Sequence, residues 1–318
     1  MDPEPNSPRR NSTITQGALY LGVDGGGSRC RARIADEFGT VVSEVGSGPA
    51  TTRLSIDEAW RSIMRAYTAA AEQAPLGRED FALVHAGIGL VSLGRWGAAA
   101  ALKQIAHPFA SVHFISDGVA ACLGANGGAD GAIVVAGTGS IGVGPIGGRE
   151  LRFGFSISDE GSGAGVGLQA IRLAFRAADQ RGETSPLLAE VLGAFDHDSS
   201  QAVAWFEPAT VTDYAAFAPL VLRHASQGDP IGRRIVERAA NAIGDLLDVF
   251  LRHGIDRLSL VGGLSGAIAA WLTPDLRGRL TPPVGDVVAG ALLVARGRVA
   301  VVEAAEREQV PKFRLSNP

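Results

Sequence analysis

Apolar runs closed by glycine recur along the chain, each short enough for a buried strand. The first, Ala18 to Val23, ends in Asp24-Gly25-Gly26-Gly27-Ser28, and a second strand-like run starts at Cys30. Thr40 to Val45 reads as a third strand, followed by a Gly/Ser/Pro loop at 46–52. Then the period changes. Ile56, Ala59, Trp60, Ile63 and Tyr67 recur at three- and four-residue steps. Asp57 and Glu58 fall in the first turn, where the dipole favours acids, so 56–73 is predicted to be a helix. Phe81 to Leu90 reads as a buried strand, Trp96 to Ala106 as a helix and Ser111 to Ser116 as a strand. Asp117 then opens a short helix ending near Leu123. Strands alternating with helices predict an α/β domain with a largely parallel sheet.

At Gly131 the plan starts again. Ala132 to Ala136 is an apolar strand, Gly137-Thr138-Gly139-Ser140 a glycine-hydroxyl turn, and Ile141 to Ile146 a second strand. The recurrence implies two related domains, each offering a turn to a shared cleft. Helices are expected at 164–178, 212–226 and 230–253, the last with Pro230 at its first position. A strand at 257–261 ends in Gly262-Gly263-Leu264, and 286–300 reads as a closing helix. The expected domains are 18–125 and 126–285, with the closing helix packed on the first. Residues 1–17 are expected to be a disordered tail and 301–318 a loose end.

Composition narrows the function. A chain of 318 residues that is 46% hydrophobic can bury a large core. The net charge is -4, with basic residues dispersed, so no nucleic-acid or membrane-surface partner is expected. No apolar segment suits a signal peptide or a membrane span. The two cysteines, Cys30 and Cys122, lie far apart. They form no metal-ligand pattern, read as small core residues, and fit a reducing, cytoplasmic setting.

The glycine turns carry the candidate chemistry. Bare N–H groups suit a phosphate, and Asp24 beside them would repel it unless a divalent cation such as Mg²⁺ sat between. Taken alone, the first turn fits a hairpin equally well. The turn at Gly137 to Ser140 has no acid, so its N–H and hydroxyl donors can hold phosphate oxygens directly. Gly262-Gly263 ends a strand and opens a helix, where nucleotides sit in α/β folds. Asp117 has two readings: an N-cap aspartate, or a general base at the mouth of the cleft. Asp159 and Glu160 are either acceptors for a polyol or acids of the helix that follows. His85 reads as a satisfied core residue. Gly137 to Gly142 matches G-x-G-x-x-G but runs into a strand, so it lacks the context of a dinucleotide site.

Together these motifs resemble the superfamily of sugar kinases, heat-shock chaperone ATPases and actin, which has two duplicated ribonuclease-H-like domains around an ATP cleft. Within it, residues 18–297 look like the BadF/BadG/BcrA/BcrD-type ATPase family, nearest its bacterial glucosamine and N-acetylglucosamine kinases. The motifs are 22–28, Ser116-Asp117 with 120–125, 137–140, 158–163 and 261–264. The resemblance implies ATP and Mg²⁺, with Gly25, Gly26, Gly27, Ser28, Gly137, Thr138, Gly139, Ser140, Gly262, Gly263 and Leu264 on the nucleotide. It implies Asp24 as the acid that organises the metal and Asp117 as the base acting on a sugar 6-hydroxyl. It puts Thr51, Asp159 and Glu160 near the sugar. A homodimer is the assembly left open. Three stretches depart from the kinase pattern: Thr51 for Asn, Val91-Ser92 for Ala-Gly, and Leu151-Arg152-Phe153 for Gly-Gly-Trp. All three belong to the expected sugar side. Two rival activities stand beside the kinase: an ATPase module that drives a partner protein by domain closure, and a sugar-binding regulator.

Overall fold

The structure, a computed structural model, describes residues 17–52, 55–74, 76–94, 97–146, 149–154 and 159–299. Most of the expected N-terminal tail, Trp96, Ser158 and the stretch from 300 onward lie outside the described residues.

Two sheets follow one plan. β1 (Leu19–Gly25), β2 (Cys30–Ala35) and β3 (Val41–Ser47) form an antiparallel meander. After α1 (Ile56–Gln73), β4 (Val84–Leu90) pairs parallel with β1. After α2 (Ala98–Lys103), β5 (Ser111–Ser116) pairs parallel with β4, and α3 (Asp117–Asn126) leaves its end. The strand order is β3-β2-β1-β4-β5. The second sheet repeats the meander with β6 (Ala132–Ala136), β7 (Ser140–Ile146) and β8 (Arg149–Phe153). A helical stretch follows: α4 (Gly163–Ala178), α5 (Pro186–Gly193), α6 (Ser199–Phe206), α7 (Val211–Ala215), α8 (Ala218–Ser226) and α9 (Pro230–Arg252). β9 (Leu258–Val261) then joins parallel to β6, giving the order β8-β7-β6-β9. Short helices α10 (Ser265–Ala269) and α11 (Pro274–Arg279) precede α12 (Val287–Ala295).

Where the elements differ from expectation, local chemistry explains it. β1 runs through Asp24 and Gly25, which pair with Arg31 and Cys30, so the first turn proper begins at Gly26. The expected strand at 81–90 starts only at Val84. The Asp80 carboxylate accepts the Gly77 N–H at 2.7 Å and closes a helical turn over Arg78–Leu83. The helix expected at 212–226 breaks before α8, whose first turn contains Pro219, and proline cannot continue a helix that supplies a carbonyl four residues earlier. β8 escaped the apolar pattern because Arg149, Glu150 and Arg152 interrupt it, charges that suit a sheet edge.

The first sheet packs α1 on one side, around the buried Ile63 and Tyr67, and α12 on the other, against β1 and β4. Small residues let α12 come close. A Cβ at Gly124 of α3 would lie 1.9 Å from the Asp286 carbonyl, and one at Gly290 of α12 would lie 1.9 Å from that of Ala120. A methyl at either place forces the helices apart, an overpacking cost of about 1–3 kcal/mol. Many of the 42 glycines therefore serve helix packing rather than ligand-facing turns. A larger cluster gathers α4, α5, α8 and α9 under the second sheet. Among the described residues no helix is long and apolar enough to cross a membrane.

Candidate active site

In the first sheet, the C-terminal ends of β1, β4 and β5 lie side by side, with Gly25 opposite Leu90 and Leu90 opposite Ser116. Ligands in parallel α/β sheets bind beyond such strand ends. There Asp24 and Asp117 open onto one cleft of about 510 Å³, whose other wall includes Val143, Arg152 and Gly262 from the second half.

Asp117 is not the helix cap. Ser116 caps α3, its hydroxyl accepting the Val119 N–H at 3.0 Å, and Asp117 is the first helical residue. Its carboxylate is therefore left for the cleft. The side chain is 38% exposed, toward the cleft. Burial raises its pKa above the ordinary carboxylate value. The Arg152 guanidinium and the Gly118 N–H oppose that rise, while Glu150 and Asp24 add to it.

Asp24 faces Arg31 across the hairpin, with Arg31 Nη2 to Asp24 Oδ2 at 3.1 Å. The same guanidinium donates to Asp286 at 2.9 Å, and Arg33 donates to Asp286 at 3.0 Å and to Glu44 at 2.7 Å. Asp286 caps α12 through the Ala289 N–H. Burial pushes its carboxyl up, but the Ala289 N–H and the two guanidiniums outweigh burial and hold it below the usual range. Sequence reasoning missed this network. Its signal was the alternation Arg31, Arg33 on β2, which places both cations on one face of the strand.

The first turn closes with the Gly26 N–H on the Arg29 carbonyl at 2.9 Å, leaving Gly27 and Ser28 exposed at its tip. Nothing lies within 4 Å of a Cβ built at Gly27. The neighbouring loops are sewn to this hairpin. The Ala50 N–H donates to the Gly26 carbonyl, the Val91 N–H donates to that of Gly25, and Thr51 bridges Val91. Thr51 and Val91 are thus neighbours, so two of the three departures from the kinase pattern fall at one place. Thr51 is 5% exposed.

The second turn, Gly137 to Ser140, is braced from behind. Asp159 accepts both the Ser140 N–H and the Ser140 hydroxyl, each at 2.6 Å. The Gly163 and Ala164 N–H groups of α4 donate to the Gly137 and Thr138 carbonyls. The third turn abuts it. Gly262 has φ +103, its Cβ would lie 2.5 Å from the Ala136 carbonyl, and the Leu264 N–H donates to that carbonyl. Only glycine fits there. Gly263 is exposed, with open space where a Cβ would be.

The structure thus brings Asp24, Asp117 and Gly262 to one cleft. It does not bring Asp159 or Glu160 there. They line a second cavity of about 390 Å³ with α4, α7 and α9. The Asp159 carboxylate is engaged by Ser140, and Glu160 is exposed, 3.9 Å from Arg238. Neither acid is in the first turn of α4, which Ser162 caps. Cys30 and Cys122 are buried, and burial pushes each thiol up to about 12, so both read as core residues. His85 is satisfied by Ser111 at 2.8 Å.

The chain is similar to several known proteins. The chain is 39% identical over 279 residues to the glucosamine kinase GspK of Vibrio cholerae, a match covering 87% of this chain and 95% of that one. It is 26% identical to an N-acetylmuramic acid/N-acetylglucosamine kinase of Clostridium acetobutylicum, covering 70% and 76%. A crystal structure from Chromobacterium violaceum, described provisionally as an N-acetylglucosamine kinase, superposes with a TM-score of 0.79 at 33% identity, covering 87% and 99%. A glucokinase from Streptomyces griseus, solved with glucose and AMPPNP, superposes with a TM-score of 0.50 at 20% identity, covering 88% and 100%, a likeness of fold alone. With its profile matching residues 21–295, the chain belongs to the BadF/BadG/BcrA/BcrD ATPase family.

Proposed function

We propose that this chain is an ATP-dependent amino-sugar kinase that transfers the terminal phosphoryl group of ATP to the 6-hydroxyl of glucosamine or N-acetylglucosamine. One observation carries the reading: Asp117, released from capping by Ser116, shares a cleft with Asp24 at the ends of parallel strands. The similarity to a glucosamine kinase supports the substrate class. We read 18–125 and 126–285 as the two domains flanking this cleft, with α12 belonging to the first.

Asp117 accepts the proton of the attacking hydroxyl and aligns its oxygen with the phosphorus. Its place at the start of α3 favours the anion through the helix dipole. The N–H groups of Gly27 and Ser28 in the first turn and of Thr138 and Gly139 in the second, which the turns themselves do not use, hold the phosphates, and the 262–264 loop holds the nucleoside end. Asp159 acts by keeping the second turn in shape. Closure of the cleft excludes water, which would otherwise take the phosphoryl group. Asp24 offers a hard oxygen donor. Among the described residues no group of three or more His, Cys, Asp or Glu could hold a metal. That donor set suits Mg²⁺, which takes most of its ligands from water and substrate phosphates. When bound, the ion neutralises phosphate charge.

The test is Asp117→Asn, assayed by sugar-dependent ADP release over a panel of free sugars. A kcat about 10²–10⁴-fold lower with the amino sugars is expected, and an unchanged kcat would sink the assignment. Equal ADP release with and without sugar would instead favour an ATPase module that drives a partner.

A further inference from the structure

Arg152 and Glu150, on the third strand of the second sheet, reach across to the segment that carries Asp117. The Ser116 hydroxyl donates to Glu150 Oε1 at 2.8 Å while accepting the Val119 N–H at 3.0 Å. One hydroxyl has one proton, so these two bonds fix its direction. The same Glu150 oxygen accepts Arg152 Nε at 2.5 Å. Glu150 is 4% exposed, and a carboxylate so buried is tolerated only when paired and hydrogen-bonded. Arg152 turns another edge toward Asp117, with Nη2 3.9 Å from Oδ1, an ion-pair distance. Gly118 leaves room for it. A Cβ there would lie 3.0 Å from Val143 Cγ2 and 3.6 Å from Arg152 Nη2.

A chain of contacts therefore runs from the β8 edge through one buried carboxylate to both the cap of α3 and the residue after it. It starts in one sheet and ends in the other. Its cation comes from the stretch that departs from the kinase pattern.

We propose that Glu150 and Arg152 are positioning residues for Asp117: Glu150 anchors the Ser116 cap and orients the guanidinium, which fixes where the Asp117 carboxylate points in the cleft. The proposal rests on the reading of Asp117 as the base. Neither residue is required to touch the sugar. The charged groups around Asp117 are Arg152 and Glu150 on β8 and Asp24 on β1, with Asp286 before α12 further along the cleft.

The experiment measures kcat and KM for amino sugar and ATP in Arg152→Met, Arg152→Lys and the double variant Glu150→Gln/Arg152→Met. Asp117→Asn runs alongside, with thermal melts of each. A misplaced reacting group costs up to about 100-fold. Arg152→Met is expected to lower kcat about 10- to 100-fold with both KM values within about threefold. Arg152→Lys, which keeps the charge but not the planar fork, should recover at least half of that loss on a logarithmic scale. The double variant leaves no unpaired buried charge, so it folds where the single one fails, and it should match Arg152→Met rather than multiply it. A sugar KM that rises with kcat unchanged makes Arg152 a substrate contact and overturns the proposal, as does a kcat unchanged in the double variant or not recovered by lysine. Loss of activity in Asp117→Asn with none in the Arg152 variants defeats this inference alone. Activity kept in Asp117→Asn defeats the reading of the base itself.

Discussion

The two glycine turns look alike in sequence and are held in opposite ways. The first follows β1, and its acid, Asp24, sits within that strand and opens onto the cleft. Arg31 holds Asp24 from the neighbouring strand, and Arg31 in turn is held by Asp286 before α12. The second follows β6, and its acid is imported: Asp159 comes from a loop 19 residues on and grips Ser140 from behind. One carboxylate is offered outward with a cation beside it. The other is consumed inside the turn. Strand–turn–strand repetition thus fixes the backbone cradle in both halves, while the placing of the acid decides what each cradle can do. The first can organise a cation; the second, with its Ser140 donors spent on Asp159, is left with the Thr138 and Gly139 N–H groups to offer.

The comparison breaks hardest at Asp24. Asp24→Asn keeps the shape and removes the charge, so kcat is expected to fall about 10²–10³-fold, the usual loss when one electrostatic contact to a transferring group is removed. The Mg²⁺ concentration for half-maximal rate should rise with it. Kinetics titrated with Mg²⁺ check this, and a fall in kcat with no change in the Mg²⁺ dependence would leave Asp24 as Arg31's partner and nothing more. Asp159→Asn should do less. It weakens two hydrogen bonds to a charged acceptor, each worth about 1.5–3 kcal/mol, and Asn retains one acceptor oxygen. The ATP KM should rise about 10-fold while the sugar KM stays within twofold. A shift in the sugar KM instead would return Asp159 to the sugar side.

The sequence carried the cradle clearly and the acids poorly. The strand–turn–strand repeats were legible because apolar runs and glycine punctuation are local signals. The helix at 56–73 was legible because one apolar stripe and the first-turn acids Asp57 and Glu58 agree. Asp117 was ambiguous because a helix-opening aspartate reads as a cap; only the structure shows that Ser116 takes that role. The bond from Ser140 to Asp159 was not legible because the two lie in different elements, and no local pattern reports a bond across 19 residues. The Arg31–Asp286 bond spans 255 residues and was invisible for the same reason. Glycine misled in one respect. Gly124 and Gly290 are spaced like any helical residues, and the sequence alone does not say that two backbones meet there.

The smallest expected effect falls on stability, and it separates the outward acid Asp117 from the inward acid Asp159. Burial raises the pKa of Asp117 in the folded state above its unfolded value, with Arg152 opposing. Below the unfolded value, about 3.9, both states hold the proton, and the fold bears no penalty. As pH rises through the folded value, the carboxylate must ionise against its surroundings, and that part of the stability is lost. Asp117→Asn, which never ionises, should therefore melt above the parent at pH 7.5, and the gap should close as the pH falls toward 4. The side chain is 38% exposed to the cleft, so solvent screening keeps the gap to about 1–2 °C. Asp159→Asn should show the opposite sign, melting below the parent at pH 7.5, because its carboxylate contributes bonds rather than bearing a penalty. Melting curves of the three proteins between pH 4.5 and 8 decide it, and an Asp117→Asn variant that melts below the parent throughout would place Asp117 among the residues that hold the fold together.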